Sequence, residues 1–328
     1  MVKILLYNKV GYSQEEGFIM SNEIIIARNL TKKYGTVLAV NNISFKIRKG
    51  DFFGFLGPNG AGKTSTVKML TGLTSISAGE VKIFDKDVVK DAKFIKKRIG
   101  VVEDTSNLFP DLTVYENLLF KAKAFGVNYR IIREKIMNYL EMFNLSDKVK
   151  SKFLNLSRGQ KRIVSIVSSL IHSPEVLFLD EPTLGLDINV RNKVHQLLLQ
   201  LNKQEKVTIF LTSHYFEEVE KLCNRIAVIN KGSLIFDGNI DKLKALFPGD
   251  KVISVELTTP IDEVRASKYF THFKIEKNKL FITGDDVTLI IEGINRFVKD
   301  NKLKIKEINT EGNKLEDLFL RLLKDDER

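Results

Sequence analysis

Residues 57 to 64 read GPNGAGKT, a spacing that suits a chain of phosphates. Gly57, Gly60 and Gly62 allow backbone angles and close approaches that a Cβ would block, so successive N–H groups can turn toward one anion. Pro58, Asn59 and Ala61 complete the loop. Lys63 adds a point charge, and Thr64, followed by Ser65, offers a hydroxyl to a magnesium ion. Such a cradle binds a nucleotide without hydrolysing it, so acidic groups should follow. VLFLDEP at 176–182 brings Asp180 to the magnesium shell and Glu181 to the attacking water, a role worth a factor of about 100 to 10,000. VTIFLTSH at 207–214 ends on His214, which could hydrogen-bond a γ-phosphate or that water, although a histidine after a strand is also a common structural residue. NLSRGQKR at 155–162 differs, holding no acid, thiol or histidine to activate a nucleophile. Its Ser157 reads first as the N-cap of the apolar-periodic run behind it.

The elements that must position these groups are legible from pattern. DFFGFLGPNGAGKTSTVKMLTG at 51–72 runs from a phenylalanine-rich apolar strand through the loop into a helix closed by Gly72. VLFLD and VTIFLT are buried strands, and Pro182 prevents extension of the first. Strands alternating with helices predict an α/β fold with an open parallel sheet, whose ligands gather at the carboxyl ends of the strands. Ile163, Ile166, Val167, Leu170 and Ile171 fall on one helical stripe that Pro174 ends. LTVYENLLFKAKAF and YRIIREKIMNYLEMF are two further helical patterns, joined by GVN.

At 328 residues, two domains are expected. With 43% hydrophobic and 28% charged residues and no apolar run of about 18, the chain reads as a globular protein without a membrane span. The amino terminus lacks the long apolar core of a secretory signal, and Met20 offers an alternative start. Cys223 is alone, which excludes an internal disulfide, and no Cys/His cluster has zinc spacing. These features fit a cytoplasmic address. The net charge of +11 would suit a polyanionic partner, but the lysines are spread along exposed-looking helices such as KDAKFIKKR.

Together these motifs resemble the nucleotide-binding subunit of the ATP-binding cassette (ABC) transporters, over about residues 22 to 245. GPNGAGKT is similar to the family's Walker A, VLFLDEP to its Walker B, LSRGQ to its signature, TLGLD at 183–187 to its D-loop and LTSH to its H-switch, in the family's order. NLTKKYG at 29–35 resembles the A-loop, placing Tyr34 against adenine. The resemblance implies a P-loop NTPase core with an antiparallel β subdomain and a helical signature subdomain at about 104–173. It also implies ATP and Mg2+ as cofactors, Glu181 and His214 as catalytic groups, and Thr64 and Asp180 at the metal. In the family, cassettes pair head to tail, so Ser157, Gly159 and Gln160 would donate hydrogen bonds to ATP held by a second subunit. Two departures stand out. Arg158 replaces the first glycine of LSGGQ, and Asp104, within IGVVEDTSNLFPDLT, stands where the family carries a glutamine that contacts nucleotide, metal and the membrane partner.

The expected organisation is an extension at 1–21, the ATPase domain at 22–247, and, after the turn signal PGD, an α+β domain at 248–328. In that tail KVISVEL, FKIEK, KLFITGD and LKIKEI read as strands, and ASKYFTHF, DVTLIIEGINRFVKD and NKLEDLFLRLLKD as helices. The tail resembles the small carboxy-terminal domain of ABC-2 type exporter ATPases. The expected function is ATP hydrolysis on the cytoplasmic face of the membrane, powering export through a separate permease, in a homodimer or a heterodimer with another cassette. The competing expectation, a soluble cassette ATPase acting on nucleic acid or ribosomes, rests on charge alone, and no nucleic-acid partner is expected.

Overall fold

Apolar residues at alternate positions bury Ile43, Phe45 and Ile47 on one face of strand β2 (Val37–Arg48), which forms a hairpin with β1 (Glu23–Tyr34). The turn between them uses Gly35 at φ 57°. The computed structural model describes residues 22–103, 106–246, 251–260, 263–284, 286–311 and 315–326. The extension at 1–21, Asp104 and the turn at 248–250 lie outside them.

Along the chain follow β3 (Phe52–Leu56), α1 (Lys63–Leu70), β4 (Ala78–Ile83), β5 (Lys86–Asp87), α2 (Ala92–Lys96), β6 (Ile99–Val102), α3 (Val114–Ala124), α4 (Tyr129–Met142) and α5 (Arg158–Leu170). Next come β7 (Val176–Asp180), α6 (Ile188–Lys203), β8 (Thr208–Thr212), α7 (Phe216–Leu222), β9 (Arg225–Asn230) and β10 (Ser233–Gly238). Two sheets result. One is antiparallel, in the order β2-β1-β4-β5; the other runs β10-β9-β3-β8-β7-β6 and is parallel except at its β10 edge. Every residue of β3, β7 and β8 is buried, as both faces of a covered parallel sheet require.

The phenylalanines join the two sheets. Phe45 of β2 stacks on Phe53 of β3 at 5.8 Å, and Phe210 of β8 touches Phe45, Phe53, Phe55 and Phe178 with centroids 5.4 to 6.3 Å apart. Offset aromatic packing of this kind adds about 0.5 to 1.5 kcal/mol per pair beyond the area buried.

The two helical patterns form α3 and α4, which pack on each other and on α5. Thr113 and Glu116 make a capping box at the start of α3, and Asn128 caps α4. Helix α5 buries more than its expected stripe: Val164, Ser165, Ser168 and Ser169 are enclosed too. Its serines satisfy themselves by donating to carbonyls of their own helix, at Lys161, Ser165 and Ile166.

By contacts the chain divides between Gly238 and Asn239, ahead of the turn at 248–250. The second unit comprises α8 (Ile240–Leu246), β11 (Lys251–Leu257), α9 (Glu263–Ala266), β12 (Phe273–Glu276), β13 (Lys279–Gly284), α10 (Val287–Asp300), β14 (Ile305–Glu311) and α11 (Leu315–Asp326). Its antiparallel sheet has the order β12-β13-β11-β14. Ile290, Ile294 and Phe297 of α10 share a core with Ile253, Val255 and Ile282. The helix expected over ASKYFTHF ends at Ala266 instead. The His272 carbonyl accepts from Thr283 N–H and Phe273 pairs with Ile282, so the sheet ladder claims the end of that segment, while Phe270 packs on Phe297. Among the described residues no helix is long and apolar enough to cross a membrane.

Candidate functional site

The phosphate loop occupies the turn between β3 and α1, and two of its glycines, Gly57 and Gly62, are sterically required. A Cβ on Gly57 would lie 2.4 Å from the carbonyl oxygen of Ile229, and one on Gly62 2.5 Å from that of Ala39. Gly62 also holds φ 109°, so it turns the chain into the helix at an angle that other residues rarely adopt. Lys63 is buried, and its Nζ donates to the carbonyls of Gly57 and Pro58 at 2.8 and 3.1 Å. Burial pulls the pKa of its ammonium down, and the carboxylates of Glu181 and Asp180 oppose that shift.

Asp180 and Glu181 come from the carboxyl end of β7, where the parallel ladder presents its last residues to the loop. Asp180 is buried and accepts from the Thr212 hydroxyl at the end of β8. Glu181 departs from the strand at φ 49°, a left-handed conformation that costs a non-glycine residue about 1 to 3 kcal/mol. Its N–H donates to both the carbonyl and the hydroxyl of Thr212, at 3.1 Å each. His214 follows β8, and its Nδ1 lies 3.0 Å from the Glu181 carboxylate.

One cleft is lined by Asn59, Gly60, Gly62, Lys63, Thr64, Ser65 and Glu181. A neighbouring cleft of about 270 Å³ is lined by Thr64, Lys68, Glu103, Asp180, Glu181 and Leu184. Thr64 and Glu181 border both. The structure thus brings together the loop, the acidic pair and, through Glu181, His214. The oxygen donors Thr64, Asp180 and Glu181 are the hard ligands that magnesium takes alongside phosphate and water. Tyr34 ends β1 and is 46% exposed, with Lys32 Nζ 4.8 Å above its ring. Asp104 lies outside the described residues.

Ser157, Gly159 and Gln160 line neither cleft. Ser157 is the N-cap of α5: its hydroxyl oxygen accepts from Gln160 N–H at 3.2 Å, and the Gln160 side chain accepts from Ser157 N–H at 3.0 Å. The capping bond uses a lone pair of the serine oxygen and leaves its O–H proton able to donate. Arg162 has no counterpart among the expected site residues. One turn into α5, its guanidinium donates to the carbonyls of Glu103, Asp180, Glu181 and Pro182. Its place in NLSRGQKR suggested only a cation; a fork of five donors aimed at backbone carbonyls becomes visible once the strand ends are assembled.

Known proteins share this arrangement. The family model described as ABC transporter matches residues 40–184. The linearmycin resistance ATP-binding protein LnrL of Bacillus subtilis is 38% identical over 71% of this chain and 74% of its own length. The Nod factor export ATP-binding protein I of Burkholderia orbicola is 37% identical over 92% of this chain and 98% of its own. The chain belongs to the ABC transporter family. It is an ATP-binding subunit of that family, with a P-loop NTPase core and ATPase activity. A dimeric ATP-binding cassette solved in a post-hydrolysis state with ADP and Pi is similar to this cassette with a TM-score of 0.60 and 28% identity, over 66% of this chain and 98% of that one.

Proposed function

We propose that this cassette hydrolyses ATP at the carboxyl edge of its parallel sheet to drive export through a separate membrane permease, from the cytoplasmic face. The observation that carries the hydrolytic part is the pair Glu181–His214, held 3.0 Å apart beside the clefts that Lys63 and Thr64 line. Lys63 and the backbone N–H groups of Gly60 and Gly62 bind the phosphates, and Tyr34 stacks on the base. When bound, magnesium supplies charge neutralisation of the phosphate oxygens, held by Thr64 and Asp180 with Asp104 as a further candidate ligand. Glu181 orients and deprotonates water. His214 keeps that carboxylate in place through Nδ1, which leaves Nε2 for a second partner.

Export is supported by relatives whose names carry it, among them the Nod factor export proteins. A cassette dimer is supported by the dimeric post-hydrolysis relative and by the exposed Ser157 at the start of α5, which lines neither of the chain's own clefts. In that dimer Ser157, Gly159 and Gln160 serve ATP bound to a second cassette, of the same or another sequence. The ATPase domain is the unit that ends at Gly238, ahead of the expected boundary at 247, with a helical subdomain at about 104–173, and the α+β unit from Asn239 on is an accessory domain.

The test is Glu181→Gln. Nucleotide affinity should persist while turnover falls by a factor of about 100 to 10,000, and the ATP-bound dimer should live longer. Turnover near wild type would remove Glu181 from the mechanism.

A further inference from the structure

Behind the Glu181–His214 pair lies a buried carboxylate that no sequence motif singled out. Glu218, on α7, is 3% exposed. Its Oε1 accepts from Thr183 Oγ1 at 2.9 Å and from His195 Nε2 of α6 at 2.8 Å. Its Oε2 accepts from Ser213 Oγ at 2.5 Å, and that hydroxyl oxygen accepts in turn from Tyr215 N–H at 3.0 Å. Thr183, His195 and Ser213 are all buried. Thr183 stands two residues after Glu181, and Ser213 immediately precedes His214. We propose that Glu218 is a positioning residue for ATP turnover, its carboxylate tying the segment after β7 to the segment after β8 and thereby setting the contact between Glu181 and His214.

Two hydroxyls and one imidazole nitrogen converge on the two oxygens, so each oxygen of the buried side chain is partnered. His195 takes part through Nε2, and its buried Nδ1 has no hydrogen-bond partner among the described residues. Among the described residues, the contact to Glu218 is the ring's one polar contact and orients it. A buried ionic cluster is weak evidence for stability, because well-packed apolar residues often serve as well. What such a cluster supplies is direction: the bonds from Thr183 and Ser213 tie together two loops that otherwise leave separate strands, and the contact with His195 anchors the carboxylate to α6. Glu181 needs that support, since its left-handed φ of 49° persists only where its surroundings determine it.

The inference rests on the proposed role of Glu181, and its test separates the two. In the full chain, Glu218→Gln should lower kcat by about ten- to a hundredfold, as expected for an ångström-scale misplacement of a reacting group. The KM for ATP should stay within about twofold, because the nucleotide contacts are untouched. Thr183→Val removes one donor, keeps the carboxylate and conserves volume, so it should reproduce the split in a smaller kcat loss and decides the matter should Glu218→Gln fail to fold. In single-turnover phosphate release, Glu218→Gln added to Glu181→Gln should cost less than about twofold more, because both act on the same water. Unchanged kcat in folded Glu218→Gln, a KM that rises in step with the fall in kcat, or losses that multiply in the double variant would each overturn the proposal. Turnover retained by Glu181→Gln would instead overturn the reading of Glu181, and this inference with it.

Discussion

Lys63, Gly62 and Tyr34 have different proposed roles toward one nucleotide, and each carries its own expected outcome. The Lys63 ammonium is buried against carbonyls, its pKa lowered by that burial and supported by two carboxylates, so it is held for an anion to meet rather than exposed to solvent. Gly62 sits where a Cβ would press on the Ala39 carbonyl at 2.5 Å, at φ 109°. Gly62→Ala should therefore cost about 1 to 3 kcal/mol through overpacking, and thermal unfolding should shift down by about 2 to 4 °C for each of these. Nucleotide binding, followed by fluorescence titration, should fall with it. Tyr34 lies half exposed at the end of β1. Stacking of a base on an aromatic ring is worth about 1 to 3 kcal/mol, so Tyr34→Ala should raise the KM for ATP at least several-fold and spare kcat. Loss of both together, with unfolding seen by circular dichroism, would make Tyr34 a structural residue.

Helix α5 shows what an element adds to its residues. Ser157 starts it by capping Gln160, and Arg162, one turn on, grips the carbonyls of Asp180, Glu181 and Pro182 and that of Glu103 after β6. The signature helix is thus fastened to the strand ends that carry the acidic pair. Arg162→Lys keeps the charge but loses the fork. Hydrogen bonds from a charged group contribute about 1.5 to 3 kcal/mol, so a thermal melt several degrees lower and a reduced kcat are expected. The start of α5 was legible because a serine ahead of an apolar period announces it, while the reciprocal bond from Gln160 emerged with the structure. Its grip was not, because the partners are backbone carbonyls remote in sequence. The same holds for Glu218 and His195, whose meeting depends on how α6 and α7 pack. The loop 57–64 was legible because one spacing encodes both strand exit and helix entry. The helix expected over ASKYFTHF failed for the opposite reason: local periodicity favoured it, but pairing of Phe273 with Ile282 and packing of Phe270 on Phe297 took the segment away.

At the scale of the whole molecule, the proposed dimer makes each chain half of a catalytic unit. Glu181 borders both clefts and Lys63 one of them, whereas Ser157 caps a helix that lines neither and keeps its hydroxyl proton to donate. Two chains arranged head to tail would complete each site with the other's signature. The most direct measurement mixes two variants, Lys63→Ala and Ser157→Arg, each inactive alone, and follows ATPase in mixed dimers confirmed by native mass. One composite site of each mixed dimer then carries both lesions, while the other pairs an intact phosphate loop with an intact signature. With a shared site, activity returns on mixing. If each chain used its own signature, every site would carry one lesion, and mixed dimers as inactive as their parents would contradict the shared site.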